Sequence, residues 1–268
     1  MSCTAIPRLS PAALAALPST VAIPAYDRAS TRIGIVHFGP GAFHRAHQAV
    51  YLDDLLALDP AWAISAVSLH SPGVRDALAP QCGLYTLLLL GEQPRLRVVG
   101  SIREVLCAPQ QREAVAARLA DADVRLVTLT ITEKGYCLSA DGVDASHPDI
   151  AHDLVHPRQP VSAIGWLVEG LRLRRERGLA AYTVLSCDNL ADNGGRLRRA
   201  VLDYAGRIDP ELAAWIEREV GFPRSMVDSI TPATDDGVRA RVQDALGVAD
   251  AWPVQREPYT QWVVEDDF

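Results

Sequence analysis

Ile33-Gly-Ile-Val-His-Phe38 is a nearly continuous apolar run, the pattern of a strand buried on both faces. It leads into Gly39-Pro-Gly41 and then a helical stretch from Ala42 to about Leu58. Trp62–Leu69 is a second buried strand, ended by Ser71-Pro-Gly73. Leu84–Leu90 and Leu96–Ile102 flank Gly91-Glu-Gln-Pro94 and predict a hairpin. Arg112–Leu119 reads as a helix and Val124–Ile131 as a strong strand. Ile164–Arg177 is an amphipathic helix closed by Gly178. Tyr182–Ser186 is strand-like, and Leu197–Tyr204 and Leu212–Val220 are helical. Upstream, residues 1–31 form an N-terminal arm. It carries one short helix from Pro11 to Leu17, with Ser10 as N-cap and Pro11 at the first helical position.

Strands alternating with helices predict right-handed βαβ units and a mostly parallel sheet. Ligands in such sheets sit beyond the carboxyl ends of the strands. Three segments lie there: Gly39–His44, Thr132–Tyr136 and Ser186–Asn193. In the first, Gly39 permits a tight turn. Gly41 lacks a Cβ, so the backbone can approach a pyrophosphate, and the next helix offers its N-terminal N–H groups to that anion. His44 stands where the third glycine of the dinucleotide fingerprint belongs. A plain glycine turn between strand and helix fits the same residues.

The second strand ends in Ser68-Leu-His-Ser71 without the acid that usually binds an adenosine ribose; Asp76 is the closest one. His70 and Arg75 either tolerate a 2′-phosphate or are solvated loop residues. His44 and His47 have a possible metal spacing, but neither HExxH nor a Cys/His cluster accompanies them, and Asp53 and Asp54 lie too far along. The non-metal reading is preferred, with the two histidines capping the turn or contacting phosphate. Glu133 and Lys134 form either a proton relay or an exposed ion pair. Ser186-Cys-Asp-Asn189 offers an amide that can hold a carbonyl oxygen as it gains charge, or it is an Asx turn. Cys187 has no obvious base nearby. Phe222–Thr234 reads only as an ordered loop before a helix.

The 268 residues are 49% apolar and 22% charged, which excludes a disordered or fibrous chain. A net charge of -7 without a basic run excludes a nucleic-acid partner. Lys134 is the only lysine in the chain. The five cysteines form no CxxC pair, which reads as reduced thiols in a cytoplasmic protein. No apolar run approaches the ~20 residues of a membrane span, and the Pro11–Pro18 stretch is not read as a cleaved signal.

Five stretches in order, Ile35–Asp53, Thr130–Tyr136, Ser186–Leu190, Phe222–Thr234 and Glu257–Asp267, resemble the mannitol dehydrogenase family. This family of long-chain polyol dehydrogenases includes the fructuronate (D-mannonate) and tagaturonate reductases. The resemblance runs from Ile33 to Phe268. It implies an α/β, Rossmann-type domain over residues 32–268 with an added β-hairpin, binding NAD or less often NADP. Residues 235–268 would lead to a helical substrate domain lying beyond the chain. It implies metal-independent hydride transfer between a polyol or aldonate (mannitol, D-mannonate) and its keto form (fructose, fructuronate). Gly39, Gly41, Phe43 and His44 match the family's cofactor turn, and Glu133 lies near the nicotinamide. Asp228 matches the acid near cofactor and substrate, and Asn189 the amide on the reacting oxygen. The general-base lysine of the family falls beyond Phe268. The chain as given is therefore expected to be a fragment without turnover, monomeric or weakly oligomeric; a nucleotide-binding module without catalysis is the alternative. The Ser68–Gln81 stretch leans toward the fructuronate branch over the mannitol branch.

Overall fold

The computed structural model describes residues 6–140 and 142–268. Its strands are β1 (Val21–Ala22), β2 (Ile33–Phe38), β3 (Ala63–Ser68), β4 (Tyr85–Leu89), β5 (Arg95–Val99), β6 (Ile102–Cys107), β7 (Leu126–Leu129), β8 (Thr183–Ser186), β9 (Ser225–Asp228), β10 (Val254–Arg256) and β11 (Gln261–Val264). The α-helices are α1 (Ala42–Ala46), α2 (Gln48–Leu55), α3 (Gly73–Leu78), α4 (Arg112–Leu119), α5 (Thr132–Gly135), α6 (Pro148–Val155), α7 (Ala163–Glu176), α8 (Asn193–Ile208), α9 (Pro210–Glu219) and α10 (Asp236–Leu246). Pro11–Ala16 forms a 3₁₀ turn in place of the expected helix.

The central sheet has the order β6-β3-β2-β7-β8, with every neighbouring pair parallel. Its inner strands are apolar on both sides, so one pleat serves two cores. Val36 and Phe38 join Val127, Trp166, Leu171 and Tyr204 in one cluster, under α7 and α8. Ile35 joins Ala49, Ile64 and Tyr85 in the other, under α2. The order doubles back at β2: chain direction runs outward through β3 and β6, then returns to β7 on the opposite side. That reversal opens a crevice above the carboxyl ends of β2 and β7.

A second sheet, β1-β5-β4-β10, lies beside it. The expected hairpin is present as the antiparallel pair β4–β5. Ile102, read as its end, instead starts β6 on the edge of the central sheet. Arg103 and Glu104 interrupt the apolar run there, because an edge strand keeps part of its surface toward solvent.

The single helix expected from Ala42 to Leu58 is broken. At His47 the backbone leaves the helical region (φ -120°, ψ -93°), and the ring Nε2 meets the Gln261 carbonyl at 2.8 Å. That partner is distant in the chain, so local periodicity cannot show the break.

The terminal segments are woven into the body. β1 pairs with β5, and β10 with β4. Val238, Val242 and Leu246 of α10 pack on Leu9, Val21 and Leu84. The buried Asp53 carboxylate accepts hydrogen bonds from Tyr26 Oη (2.5 Å) and the Gly100 N–H (2.8 Å), and pairs with Arg97 (2.5 Å). One side chain thereby ties the arm, α2 and the hairpin together. Among the described residues, no helix is long and apolar enough to cross a membrane.

Candidate cofactor crevice

The Gly39 turn leaves β2 with φ +87°, and a Cβ there would lie 2.2 Å from the Thr130 carbonyl oxygen. Only glycine fits this position. At Gly41 an added Cβ would meet nothing nearer than the Gly39 oxygen at 3.8 Å. That position is open on the crevice side. The first N–H groups of α1 have no acceptor within the helix. The helix is only five residues long, so any attraction for an anion rests on these nearby N–H groups more than on a long helix dipole.

The turn is braced from beneath. His37 Nδ1 lies 2.7 Å from Thr128 Oγ1, and Nε2 lies 3.0 Å from Thr130 Oγ1 and 3.2 Å from the Gly39 oxygen. His44 stacks on His37 at 3.3 Å between ring centroids. Burial pulls the His37 pKa down to about 3 and that of His44 well below its usual value, so both rings are neutral at neutral pH. This corrects the expectation that His44 contacts a phosphate. It is fully buried and its ring nitrogens have no hydrogen-bond partner, so it supports the turn from the core side. Arg45 is buried too. It donates to the Pro40 and Trp252 carbonyls and lies over the Tyr85 and Trp252 rings.

Two cavities meet above the turn. One, about 320 Å³, is lined by Gly39, Gly41, Ser68, His70, Val74 and Thr130. The other, about 400 Å³, is lined by Phe43, Thr130, Asp188, Asn189, Val227 and Asp228. Gly41, Thr130 and Thr132 belong to both, so the two form one crevice across the strand reversal. Asn189 and Asp228 come together here from segments far apart in sequence, and Phe43 joins them, stacked on His47.

Glu133 stands elsewhere. Its carboxylate is 66% exposed and faces Arg196 at 3.6 Å, not Lys134. Neither Glu133 nor Lys134 lines the crevice, so the proton relay considered for this pair does not form. Cys187 is fully buried and its thiol pKa is raised, chiefly by desolvation, which leaves no thiolate for nucleophilic work.

Asp188 had no assigned part, yet it organises the crevice floor. Its carboxylate accepts from the Ile131 N–H (2.8 Å), the Thr132 N–H (3.3 Å) and Tyr136 Oη (2.8 Å). Thr132 has φ 64°, a strained value for a β-branched residue, and these bonds hold it there. An acid just beyond a buried strand is the signal that could have found it. The cavity lined by Ser68, His70 and Val74 has no carboxylate in its lining. Asp76 is paired with Arg75 at 2.6 Å, and Arg75 also donates to Gln110.

Comparison with known proteins agrees with this architecture. The family model of the mannitol dehydrogenase Rossmann domain matches residues 33–268. The chain is 46% identical to the uncharacterized oxidoreductase YeiQ of Escherichia coli (strain K12), over 94% of this chain and 53% of that protein. It is 45% identical to the D-mannonate oxidoreductase of the same organism, over 92% of this chain and 53% of that protein. The solved ternary complex of Pseudomonas fluorescens mannitol 2-dehydrogenase with NAD and D-mannitol superposes with a TM-score of 0.94 at 44% identity, covering 97% of this chain and 55% of that one. The chain spans about half the length of the curated relatives it matches. With its Rossmann architecture and a family-model match running from Ile33 to Phe268, this chain belongs to the mannitol dehydrogenase family of oxidoreductases.

Proposed function

We propose that the crevice binds NAD(H), with the pyrophosphate over the Gly39–Gly41 turn, the adenosine in the Ser68–Val74 cavity and the nicotinamide beside Asn189 and Asp228. The observation that carries this reading is the continuity of the two cavities through Gly41, Thr130 and Thr132 at the strand reversal. The open space at Gly41 is the cradle a Cβ would fill. The likeness to a relative solved with NAD and D-mannitol supports the same ligand class.

The cofactor supplies a hydride acceptor or donor. The chain's own residues position it: Phe43 walls the nicotinamide end, and Asp188 holds the loop beneath it. The exposed Asn189 amide, which lines this cavity, would donate a hydrogen bond to a substrate oxygen as that oxygen gains charge. The proposed reaction is oxidation of a polyol or aldonate, mannitol or D-mannonate, to its keto form and the reverse. It belongs to the whole protein of the relatives' length, with these 268 residues supplying the cofactor part. Proton transfer needs a base near the reacting carbon, and Lys134 is exposed on α5 outside the crevice.

Titration of the purified chain with NADH, followed by nicotinamide fluorescence, tests this reading. Saturable binding without measurable reduction of fructose or fructuronate is expected. Failure to bind either nicotinamide cofactor would overturn it. Family-like turnover by the 268-residue chain would overturn the assignment of the base to another part of the protein.

A further inference from the structure

A second cluster of chemically active groups lies behind the crevice wall. Cys137 Sγ is 3.5 Å from His147 Nδ1, and that nitrogen is 4.0 Å from Asp149 Oδ2. All three donor atoms fall within 4.8 Å of one another. In a tetrahedral site with Zn–S of about 2.3 Å and Zn–N of about 2.0–2.1 Å, sulfur and nitrogen are separated by about 3.5 Å. The Cys137–His147 spacing has that value already. The corresponding nitrogen–oxygen edge is about 3.3 Å against the 4.0 Å present, so the His147–Asp149 edge must shorten by less than an ångström.

Thiolate, imidazole and carboxylate together form a donor set for a borderline-soft divalent ion. Cys137 is buried, while His147 and Asp149 are half-exposed, so the cluster is reachable from solvent on their side. Burial and the carboxylates of Asp149, Asp144 and Asp153 push the Cys137 thiol up to about 11. The same negative field attracts a cation. Cys137 also has φ 50°, a left-handed conformation in which glycine would be unstrained, so a thiol is present where the backbone favours no side chain. His147 Nδ1 accepts the Asp149 N–H at 3.3 Å, a long cap that an ion would displace.

We propose that Cys137, His147 and Asp149 form a site for a divalent cation of the zinc class, independent of hydride transfer, that ties Cys137 to the start of α6. Binding replaces the thiol proton, which passes to solvent, with a metal–sulfur bond. The site borders the crevice through its neighbour Tyr136, which bonds Asp188, and through Gly135, which lines the adenosine-side cavity.

Titration of the untagged, metal-stripped chain with Co²⁺ tests the assignment. One equivalent per chain is expected, with a sulfur-to-cobalt charge-transfer band, tetrahedral ligand-field bands, and displacement by Zn²⁺. Cys137→Ser should abolish the charge-transfer band, and Asp149→Asn should weaken binding roughly tenfold or more. Circular dichroism and urea denaturation check that the variants fold. If Cys137→Ser does not fold, His147→Ala serves in its place and should abolish tetrahedral binding. Absence of the band in the parent chain, or its survival in Cys137→Ser, would overturn the proposal.

Discussion

Gly39 and Gly41 are two residues apart and have opposite sensitivities. A Cβ at Gly39 collides with the Thr130 carbonyl, whereas one at Gly41 enters open space. Gly39→Ala should therefore lower stability by roughly 2–4 kcal/mol in urea denaturation. Gly41→Val should unfold within about 1 kcal/mol of the parent yet bind NADH at least ~10-fold more weakly. Equal effects of the two substitutions on stability would contradict the cradle.

The stacked pair His37 and His44 gives a pH dependence. Both pKa values are lowered in the fold, so the unfolded chain takes up protons that the folded chain refuses. Stability is then fully present above the unfolded value of about 6.5 and falls as pH drops toward about 3, the folded value of His37. Each imidazole contributes a slope of up to about 1.4 kcal/mol per pH unit in that window. Urea midpoints between pH 7 and pH 5 measure it, and His37→Asn should flatten the curve. The sequence made His44 look like part of a ligand-facing turn. Its ring lies in the core because the tertiary fold stacks it on His37, which one-dimensional spacing does not encode.

Elements meet at the crevice, and on the proposed cofactor placement their ends would set the choice between NAD and NADP. β3 ends at Ser68 and the cavity lined by Ser68, His70 and Val74 has no carboxylate in its lining, so with the cofactor placed as proposed a 2′-phosphate would meet no repulsion there. The Kd values for NADH and NADPH should differ by less than ~100-fold, and His70→Asp should raise the preference for NADH. A parent chain that rejects NADPH more strongly would show that another group reads the ribose. β2, β3, β7 and β8 were legible from their apolar runs, because strands buried on both faces need little but hydrophobic side chains. β6, β9, β10 and β11 were not. They are short or partly polar, and each is a strand only because a partner lies alongside it.

At the scale of the whole molecule, Asp53 joins pieces far apart in sequence: its partners include Tyr26, 27 positions before it, and Gly100, 47 positions after. Asp53→Ala leaves the Arg97 guanidinium and the Gly100 N–H without this partner and should lower stability by roughly 2–3 kcal/mol, read from thermal or urea unfolding. An unchanged midpoint would mean that the arm and hairpin are held by apolar packing alone.

The sequence by itself determined the parallel α/β layering, the glycine turn after β2 and the placement of Asn189 just beyond a strand, in a segment that could bear on a ligand. These follow from local periodicity and local backbone freedom, which neighbouring residues carry among themselves. The tertiary structure alone decided that His44 is a core ring, that Glu133 turns to Arg196, and that Asp188 locks the loop after β7. It also brought Cys137, His147 and Asp149 to ligand spacing. Each of these depends on where a side chain ends relative to groups that only the folded chain brings near, and buried polar and charged groups take their roles from those partners.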